Sequence, residues 1–237
     1  MPPKSTPEEI RARFDADVER FSNLETGQTA TMDSQLVLDL VTRAAAAATP
    51  GARRLLDVGC GAGNYSLKLL QHLPGLEITL LDLSRPMLDR ALVRVSAATT
   101  GSVSAVQSDL RAFDPGRERF DIMLAAAVLH HLRAEAEWHA VFARFYAALR
   151  PGGSLWIADL TAHDHPAVQA LMWARFGDHL AAQQDAAYRD RVFAYVEKED
   201  TPRSLIFQLD ALRAAGFGQV EVLHKNGPFA AFGALKG

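Results

Sequence analysis

Residues 55–64 restrict the fold more than any other part of the sequence, because an apolar strand pattern there runs directly into a glycine-rich turn. The stretch reads LLDVGCGAGN, and its glycines occupy the alternate positions Gly59, Gly61 and Gly63. Glycine lets the backbone turn tightly and lets a ligand approach main-chain atoms. A helix behind such a turn offers free N–H groups to a carboxylate or phosphate. A tight turn without a ligand is the alternative.

Strand and helix patterns alternate on both sides of this turn. The predicted strands cover 53–58, 77–81, 103–107, 120–126 and 154–158. The predicted helices between them cover 64–72, 84–97 and 134–149, and Pro151-Gly152-Gly153 ends the last of these. Strands that alternate with helices of this length form βαβ units with parallel strands and right-handed crossovers.

The two ends of the chain carry clear start and turn signals. Thr6 with Pro7 and Glu9 predicts a capped helix, which apolar residues at 10, 14, 18 and 21 continue. A loop is predicted at 22–30 and a second helix at 33–48. Near the other end, Thr201-Pro202 predicts a helix that runs to Gly216. Strands at 219–225 and 229–235, joined at Asn226-Gly227, predict an antiparallel hairpin.

Residues 160–202 interrupt the alternation with one or two predicted helices rich in aromatic residues and histidine. An insertion after the fifth strand lies at the carboxyl edge of the sheet, where α/β folds bind ligands. We therefore predict that this segment is a lid. The side chains predicted to contact a substrate are His163, His165, Trp173, Tyr188 and Tyr195.

Composition excludes several classes of function. The 25 basic and 28 acidic residues give a net charge of −3, so there is no broad attraction for nucleic acid, although a local basic patch remains open. No apolar run approaches the roughly 18–20 residues that span a bilayer, and the N-terminus lacks the apolar segment of a secretory signal. The single cysteine, Cys60, permits neither an internal disulfide nor a Cys-only zinc site. These features predict a cytoplasmic protein.

The glycine turn departs from the dinucleotide-binding fingerprint G-x-G-x-x-G. Asn64 stands where that fingerprint has its third glycine, and Gly63 comes one residue early. Asp57, at the end of the first strand, suits an ammonium group better than a pyrophosphate. A nicotinamide-dependent oxidoreductase is therefore only an alternative hypothesis.

Two further aspartates follow the next two predicted strands. Asp82 can accept hydrogen bonds from both hydroxyls of a ribose, each worth roughly 1.5–3 kcal/mol. Asp109 can accept a hydrogen bond from an adenine amino group, with Leu110 and Met87 beside the ring. Together with the glycine turn, these residues predict a nucleoside site.

The order and spacing of these residues resemble the class I S-adenosylmethionine-dependent methyltransferases across about residues 50–160. The motifs that carry the resemblance are Asp57 to Gly63, Asp82, Asp109, Phe120-Asp121-Ile122, Val128-Leu129-His130-His131-Leu132 and Leu149-Arg150-Pro151-Gly152-Gly153. The resemblance implies a Rossmann-like α/β fold, with helices on both faces of a seven-stranded sheet in the order 3-2-1-4-5-7-6 and an antiparallel last strand. It also implies S-adenosylmethionine as the cofactor.

The resemblance further assigns the cofactor-binding residues. The segment Gly59 to Gly63 would cradle the methionine part, Asp82 the ribose, and Asp109 with Leu110 the adenine. Leu83 and Met87 complete the predicted cofactor-binding set. Backbone near Ala125 and Ala126 would contact the amino-acid end.

Methyl transfer from a sulfonium needs positioning and at most one base, and His130 is the nearest candidate. The adjacent pair His130 and His131 cannot both face the cofactor from this short turn, so one of the two is expected to be structural. The lid histidines do not have the spacing of a zinc site, so no metal is predicted. The chain lacks the Asn/Asp-Pro-Pro-aromatic motif of the members that methylate amino nitrogens.

The prediction is a single domain over 1–237, with N-terminal helices at 1–50, a cofactor-binding core at 51–160, the lid at 160–202 and a C-terminal helix and hairpin at 203–237. Its predicted function is methyl transfer to a small molecule. The alternatives are a methyltransferase acting on a tRNA nucleotide and a non-catalytic S-adenosylmethionine-binding protein. The C-terminal stretch loosely resembles the branch that makes carboxylated S-adenosylmethionine, but Ala211 stands where that branch has an arginine. A homodimer is compatible with the sequence.

Overall fold

The computed structural model describes residues 3–23 and 29–237, and a seven-stranded sheet forms the centre of this part of the chain. The order of the strands is β3-β2-β1-β4-β5-β7-β6. Only β7 runs antiparallel to its neighbours, which confirms the predicted topology. The strands are β1 Arg54–Val58, β2 Glu77–Asp82, β3 Val103–Gln107, β4 Phe120–Ala126, β5 Leu149–Leu160, β6 Gln219–Asn226 and β7 Phe229–Leu235.

Helices surround this sheet. The α-helices of the described residues are α1 Pro7–Asp15, α2 Val18–Ser22, α3 Ser34–Ala48, α4 Asn64–Leu70, α5 Arg85–Ser96, α6 Glu135–Ala148, α7 Pro166–Gln183, α8 Ala186–Glu199 and α9 Leu205–Ala215. A short 3-10 turn, Leu129–His131, follows β4. No helix within residues 3–23 or 29–237 is long and apolar enough to cross a membrane.

Two apolar layers hold helices on opposite faces of the sheet. Side chains alternate between the faces along each strand, so Leu55 packs with α3, α4 and α5. Its neighbour Leu56 packs on the other face with α6 and α9. Both leucines are fully buried. This sandwich fixes the carboxyl ends of β1, β2 and β4 at one edge, where the candidate site lies.

The first predicted helix is divided in two. Thr6 caps α1 through the predicted capping box with Glu9, but the backbone turns at Ala16 and Asp17 before α2 begins. Asp15 accepts a hydrogen bond from the Ser84 hydroxyl at 2.6 Å, at the start of α5. The break lets both short helices follow α5. Residues 24–28 of the predicted loop lie outside the described residues.

Two other boundaries differ from the prediction by more than two residues. Strand β5 begins at Leu149 rather than at Ser154, because 149–153 join the sheet through an irregular start before regular pairing with β4 resumes at Ser154. Helix α9 begins at Leu205, with Ser204 as its cap. Thr201 lies before the helix, and its N–H donates to the carbonyl of His130 at 2.7 Å.

Candidate functional site

A cavity of about 1030 Å³, here called the first cavity, opens at the carboxyl ends of β1, β2 and β3. It brings together most of the residues predicted to bind a nucleoside. Those that line it are Asp57, Gly59, Gly61, Asp82, Leu83, Met87, Asp109, Leu110 and Ala126. Two residues of the predicted set do not line this cavity. Gly63 caps α4 behind the turn, and Ala125 is buried within β4.

The glycine turn has the backbone that its sequence predicts. Gly59, Gly61 and Gly63 all have positive φ angles, of 64°, 50° and 84°. A Cβ on Gly59 would lie 2.5 Å from Cγ2 of Val128, and one on Gly63 would lie 2.8 Å from Cγ2 of Val95. A Cβ on Gly61 would meet nothing within 4 Å. Gly59 and Gly63 therefore permit close packing, whereas Gly61 keeps space open in the first cavity.

Asp82 holds the turn against the end of β2. Its Oδ2 accepts the Gly61 N–H at 2.8 Å, and its Oδ1 accepts the Ser84 N–H at 2.8 Å. Burial raises the pKa of this carboxyl, and the backbone N–H groups oppose that effect. Each carboxylate oxygen keeps a further lone pair directed to other donors. The carboxylate of Asp82 can thus hold the glycine turn and accept hydrogen bonds from a ligand at the same time.

Asp57 lies deeper, at the end of β1. It is 1% exposed, and its Oδ2 accepts the Ser66 hydroxyl at 2.6 Å. Burial, assisted by the nearby charge of Asp82, raises the pKa of Asp57 from 3.8 to about 6. A buried carboxylate with one hydrogen bond is costly when charged, so a cationic ligand group in the first cavity would be favoured beside it.

We expect Asp57→Asn to stabilise the ligand-free protein at pH 8 by about 2–3 kcal/mol, because a carboxyl whose folded pKa exceeds its unfolded value lowers stability once both states are ionised. The gain should be full above the folded pKa of about 6. It should shrink as the pH falls and vanish below about 4, where the unfolded carboxyl is also protonated. Urea unfolding at pH 8 and pH 4 measures both values. Equal gains at both pH values would contradict the burial argument.

Asp210→Asn is the matched control. Asp210 is exposed and pairs with Arg213 three residues away on α9. An exposed pair of this kind contributes about 0–1 kcal/mol. The control should therefore leave the free energy of unfolding nearly unchanged at both pH values.

The carboxylate of Asp109 already accepts hydrogen bonds from Arg111. The Arg111 side chain donates to both carboxylate oxygens, at 2.9 and 2.5 Å. Burial disfavours the charge, but Arg111 and its backbone N–H hold the pKa of Asp109 below its ordinary value. Arg111 lines the first cavity as well, so it forms part of the surface predicted to receive the adenine.

The first predicted helix, which we expected to close over the cofactor together with the second helix and the lid, lines the first cavity through both of its parts. Pro7, Ile10, Phe14 and Phe21 line it from above. The Arg13 side chain ties this segment to the lid through three hydrogen bonds to the Glu199 carboxylate, at 2.7, 2.9 and 2.9 Å. The signal available in the sequence was the apolar spacing 10, 14 and 21, which an ordinary packing face explains equally well.

A second cavity, of about 2270 Å³, lies beside the first. Residues of α8 line it, including Tyr188, Tyr195 and Val196. The two cavities have four lining residues in common: Phe21, Tyr65, Ala126 and Ala127. Ala127 has a positive φ of 52°, so the chain turns sharply where the two cavities meet. A group bound in one cavity would lie next to a group bound in the other.

A cluster of buried polar side chains, here called the histidine cluster, lies in the wall between the cavities. It contains His130, His131 and Asp200, and Asp159 supports it. His130 Nδ1 makes a short contact with Asp159 Oδ1. Burial disfavours a charged His130 ring, but the carboxylates of Asp159 and Asp200 outweigh this and raise the pKa of His130 to about 9.

The other two members of the cluster shift in the directions that burial dictates. Burial, reinforced by the neighbouring His130, holds the pKa of His131 well below its ordinary value. Burial raises the pKa of Asp200 to about 6, against the attraction of His130. His131 lines the first cavity, while His130 and Asp200 line the second.

The structure separates the predicted lid residues into two groups. Tyr188 and Tyr195 line the second cavity. His163, His165 and Trp173 line neither cavity, which differs from the expectation that they contact a substrate. The His165 ring accepts a hydrogen bond from Ala167 N at 3.3 Å as the cap of α7. Trp173 stacks on another aromatic ring of the lid, with 5.1 Å between ring centroids.

Comparisons with known proteins agree with this geometry. Residues 56–155 match a family model described as a methyltransferase domain. The trans-aconitate 2-methyltransferase of Mycobacterium tuberculosis is 32% identical over 143 residues, which cover 58% of this chain and 49% of that protein. The chain thus spans about half the length of this curated relative.

Solved structures match over more of the chain. The magnesium protoporphyrin IX methyltransferase of Synechocystis PCC 6803, with bound S-adenosylhomocysteine, has a TM-score of 0.67 at 15% identity and covers 98% of this chain and 100% of that one. The 1,6-didemethyltoxoflavin-N1-methyltransferase of Burkholderia thailandensis has a TM-score of 0.65 at 20% identity, and covers 100% of this chain and 92% of that one. At these identities the likeness supports the fold.

Proposed function

Because the chain belongs to the class I S-adenosylmethionine-dependent methyltransferase family, we propose that it transfers a methyl group to a small molecule held in the second cavity. S-adenosylmethionine is the cofactor of this family, and its sulfonium supplies an electrophilic methyl group. The chain's own task is to place that group against an acceptor and to exclude water. The relatives named above act on small molecules, which supports the class of acceptor.

The residues of the first cavity fit this cofactor. The open position at Gly61 leaves room for a ligand against the backbone. Asp82 presents a carboxylate suited to the ribose hydroxyls, and Asp57 provides a buried acid for the ammonium group. Leu83 and Met87, with Asp109 and its neighbour Leu110, would surround the adenine. Backbone at Ala126 would meet the amino-acid end.

The observation that carries the proposal is the common wall of the two cavities. Phe21, Tyr65, Ala126 and Ala127 face both of them. Methyl transfer is an in-line displacement, so donor and acceptor must lie on opposite sides of the moving carbon. Two cavities that meet at the end of β4 supply this arrangement, whereas a protein that only stores the cofactor would not need the second.

His130 is our candidate for the side chain that acts on the acceptor. Its Nδ1 is occupied by Asp159, which leaves Nε2 as the ring atom available to the second cavity. A ring that is fixed by a carboxylate in this way has a defined orientation. We propose that Nε2 contacts the acceptor atom or the group that activates it.

Binding and turnover together test the function. Calorimetry should show S-adenosylhomocysteine binding at micromolar concentrations, and NADH should not bind. A panel of small carboxylic acids, phenols and amines, with radiolabelled S-adenosylmethionine, should reveal at least one acceptor. Binding of S-adenosylhomocysteine with no methyl transfer to any acceptor would favour a non-catalytic S-adenosylmethionine-binding protein. Preferential methylation of tRNA would favour a methyltransferase that acts on a tRNA nucleotide.

Tyr188→Ala should raise the KM for the acceptor about tenfold, because a buried aromatic contact worth about 1.4 kcal/mol is lost from the second cavity. The Kd for S-adenosylhomocysteine should stay unchanged, since Tyr188 does not line the first cavity. His165→Ala is the control from the same lid, and it should leave both constants unchanged. A weaker Kd for S-adenosylhomocysteine in Tyr188→Ala would contradict the division into donor and acceptor cavities.

A further inference from the structure

The histidine cluster contains unpartnered polar atoms that the fold does not explain. Among the described residues, eight buried side-chain nitrogen or oxygen atoms lack a hydrogen bond, and three of them belong to this cluster. They are both ring nitrogens of His131 and the Oδ1 of Asp200. An unpaired buried polar group costs about 1–3 kcal/mol. Three such atoms in one place indicate that a ligand completes the cluster.

Two of the unpartnered atoms, Asp200 Oδ1 and His131 Nδ1, lie close to each other and to the ring of His130. Asp200 Oδ1 lies 3.3 Å from His131 Nδ1 and 3.7 Å from His130 Nε2. One donor atom from each of the three residues lies within 4.8 Å of the others. Ligand atoms bound at about 2.0–2.1 Å around a tetrahedral ion are about 3.4 Å apart. The cluster therefore approaches the spacing of a metal site and needs only a small turn of the rings to reach it.

Asp159 orients the cluster as a carboxylate orients a metal-binding histidine. Histidines that bind metals commonly donate the other ring N–H to a carboxylate, and His130 Nδ1 contacts Asp159 in this way. Asp159 is itself fixed, since it accepts the N–H groups of Leu129 and Leu160 at 2.8 and 2.7 Å. His130 Nε2 is thereby turned toward Asp200, and a cation bound there would replace the proton that the ring carries.

The charge around the cluster suits a cation. Asp159 and Asp200 bring two carboxylates to a site that has two imidazole rings, and both carboxyl side chains are at least 98% buried. Of the cationic side chains around the cluster, Arg13 pairs with both carboxylate oxygens of Glu199, and Lys4 and Arg133 donate to the backbone carbonyls of Asp200 and Glu199. A divalent cation would balance the two buried carboxylates.

We propose that His130 Nε2, His131 Nδ1 and Asp200 Oδ1 bind a divalent transition-metal cation of the zinc type. Two imidazole nitrogens and one carboxylate oxygen form a donor set that suits zinc and ferrous iron, and such a set leaves a coordination position open. The ion would lie in the wall between the cavities, where an open position can face the acceptor. His130 would then be a metal ligand and not a free base.

Whether this site binds a metal does not depend on the proposed function. If the bound metal polarises an oxygen atom of the acceptor, that role rests on the proposed function. Metal binding and S-adenosylhomocysteine binding are therefore measured separately. If S-adenosylhomocysteine binds and zinc does not, only the metal proposal is removed. If zinc binds and S-adenosylhomocysteine does not, the proposed function is removed and the metal site remains.

The test uses tag-free full-length protein that has been stripped with a chelator and then titrated with Zn²⁺ or Co²⁺. We expect one equivalent of zinc to remain after dialysis, and Co²⁺ to give the visible absorption of a four- or five-coordinate site. Asp200→Asn and His131→Gln should each weaken zinc binding at least tenfold. His224→Gln, which breaks the exposed pair with Asp33, should bind zinc as the wild type does.

Zinc retained below stoichiometry, or bound equally well by both cluster variants, would overturn the proposal. If the variants do not fold by circular dichroism, X-ray absorption of zinc-loaded wild type decides. A shell of two imidazole rings at about 2.0 Å supports the site. A shell without imidazole would overturn the site.

Discussion

Replacing Asp82 with alanine is expected to weaken S-adenosylhomocysteine binding at least tenfold, and about a hundredfold if both ribose hydroxyls are held. Each lost charge-assisted hydrogen bond contributes roughly 1.5–3 kcal/mol, and tenfold corresponds to about 1.4 kcal/mol. The same change frees the N–H groups of Gly61 and Ser84, so the glycine turn loses its anchor as well. Calorimetry measures the Kd directly.

Two further variants separate these effects. Asp82→Asn keeps an oxygen acceptor for one backbone N–H, and so tests the charge with less damage to the turn. Asp89→Ala is the control, because Asp89 lies exposed on the neighbouring helix α5, where it pairs with Arg85. Unchanged affinity in Asp82→Ala, with an intact thermal melt, would remove Asp82 from the site.

Gly61→Ala is expected to weaken S-adenosylhomocysteine binding by about 10- to 100-fold while the protein stays folded. The added methyl group meets no protein atom within 4 Å, so it projects into the space proposed for the ligand. Overpacking of this kind costs typically 1–3 kcal/mol, and the left-handed backbone at Gly61 costs roughly 1–2 kcal/mol of stability. Calorimetry and a thermal melt distinguish the two losses.

Gly59→Ala, two residues away, is expected to lower the stability of the protein before any ligand binds. Its Cβ would lie 2.5 Å from Val128 Cγ2, so the folded protein is strained before any ligand binds. We expect a loss of about 2–5 kcal/mol of stability, or roughly 5–15 °C in Tm, and the second substitution Val128→Ala should restore part of it. Normal binding in Gly61→Ala would show that the ligand does not approach this turn.

The sheet was largely predictable because its signals are local. Strands β3, β4 and β7 have the predicted bounds, since short apolar runs between turn residues define them. The order of the strands came from the resemblance to a family rather than from periodicity. The break at Ala16 and Asp17 was not predictable, because it depends on the contact of Asp15 with Ser84, 69 residues away.

Some residues of the candidate site were likewise predictable from local signals in the sequence, and others were not. Asp57, Asp82 and Asp109 were identified because each ends a predicted strand at one edge of the sheet. Asp200 was missed, since nothing in the sequence shows that it meets His130 and His131 about 70 residues earlier. The lid histidines His163 and His165 were misplaced for a related reason. Composition shows which residues are available to a cavity but not which way a helix turns them.

The N-terminal helices border both cavities. Phe21 belongs to both walls, and Arg13 fastens the same segment to Glu199 on α8. Moving this segment aside would expose donor and acceptor to solvent together. Release of the methylated product would then be coupled to release of the spent cofactor.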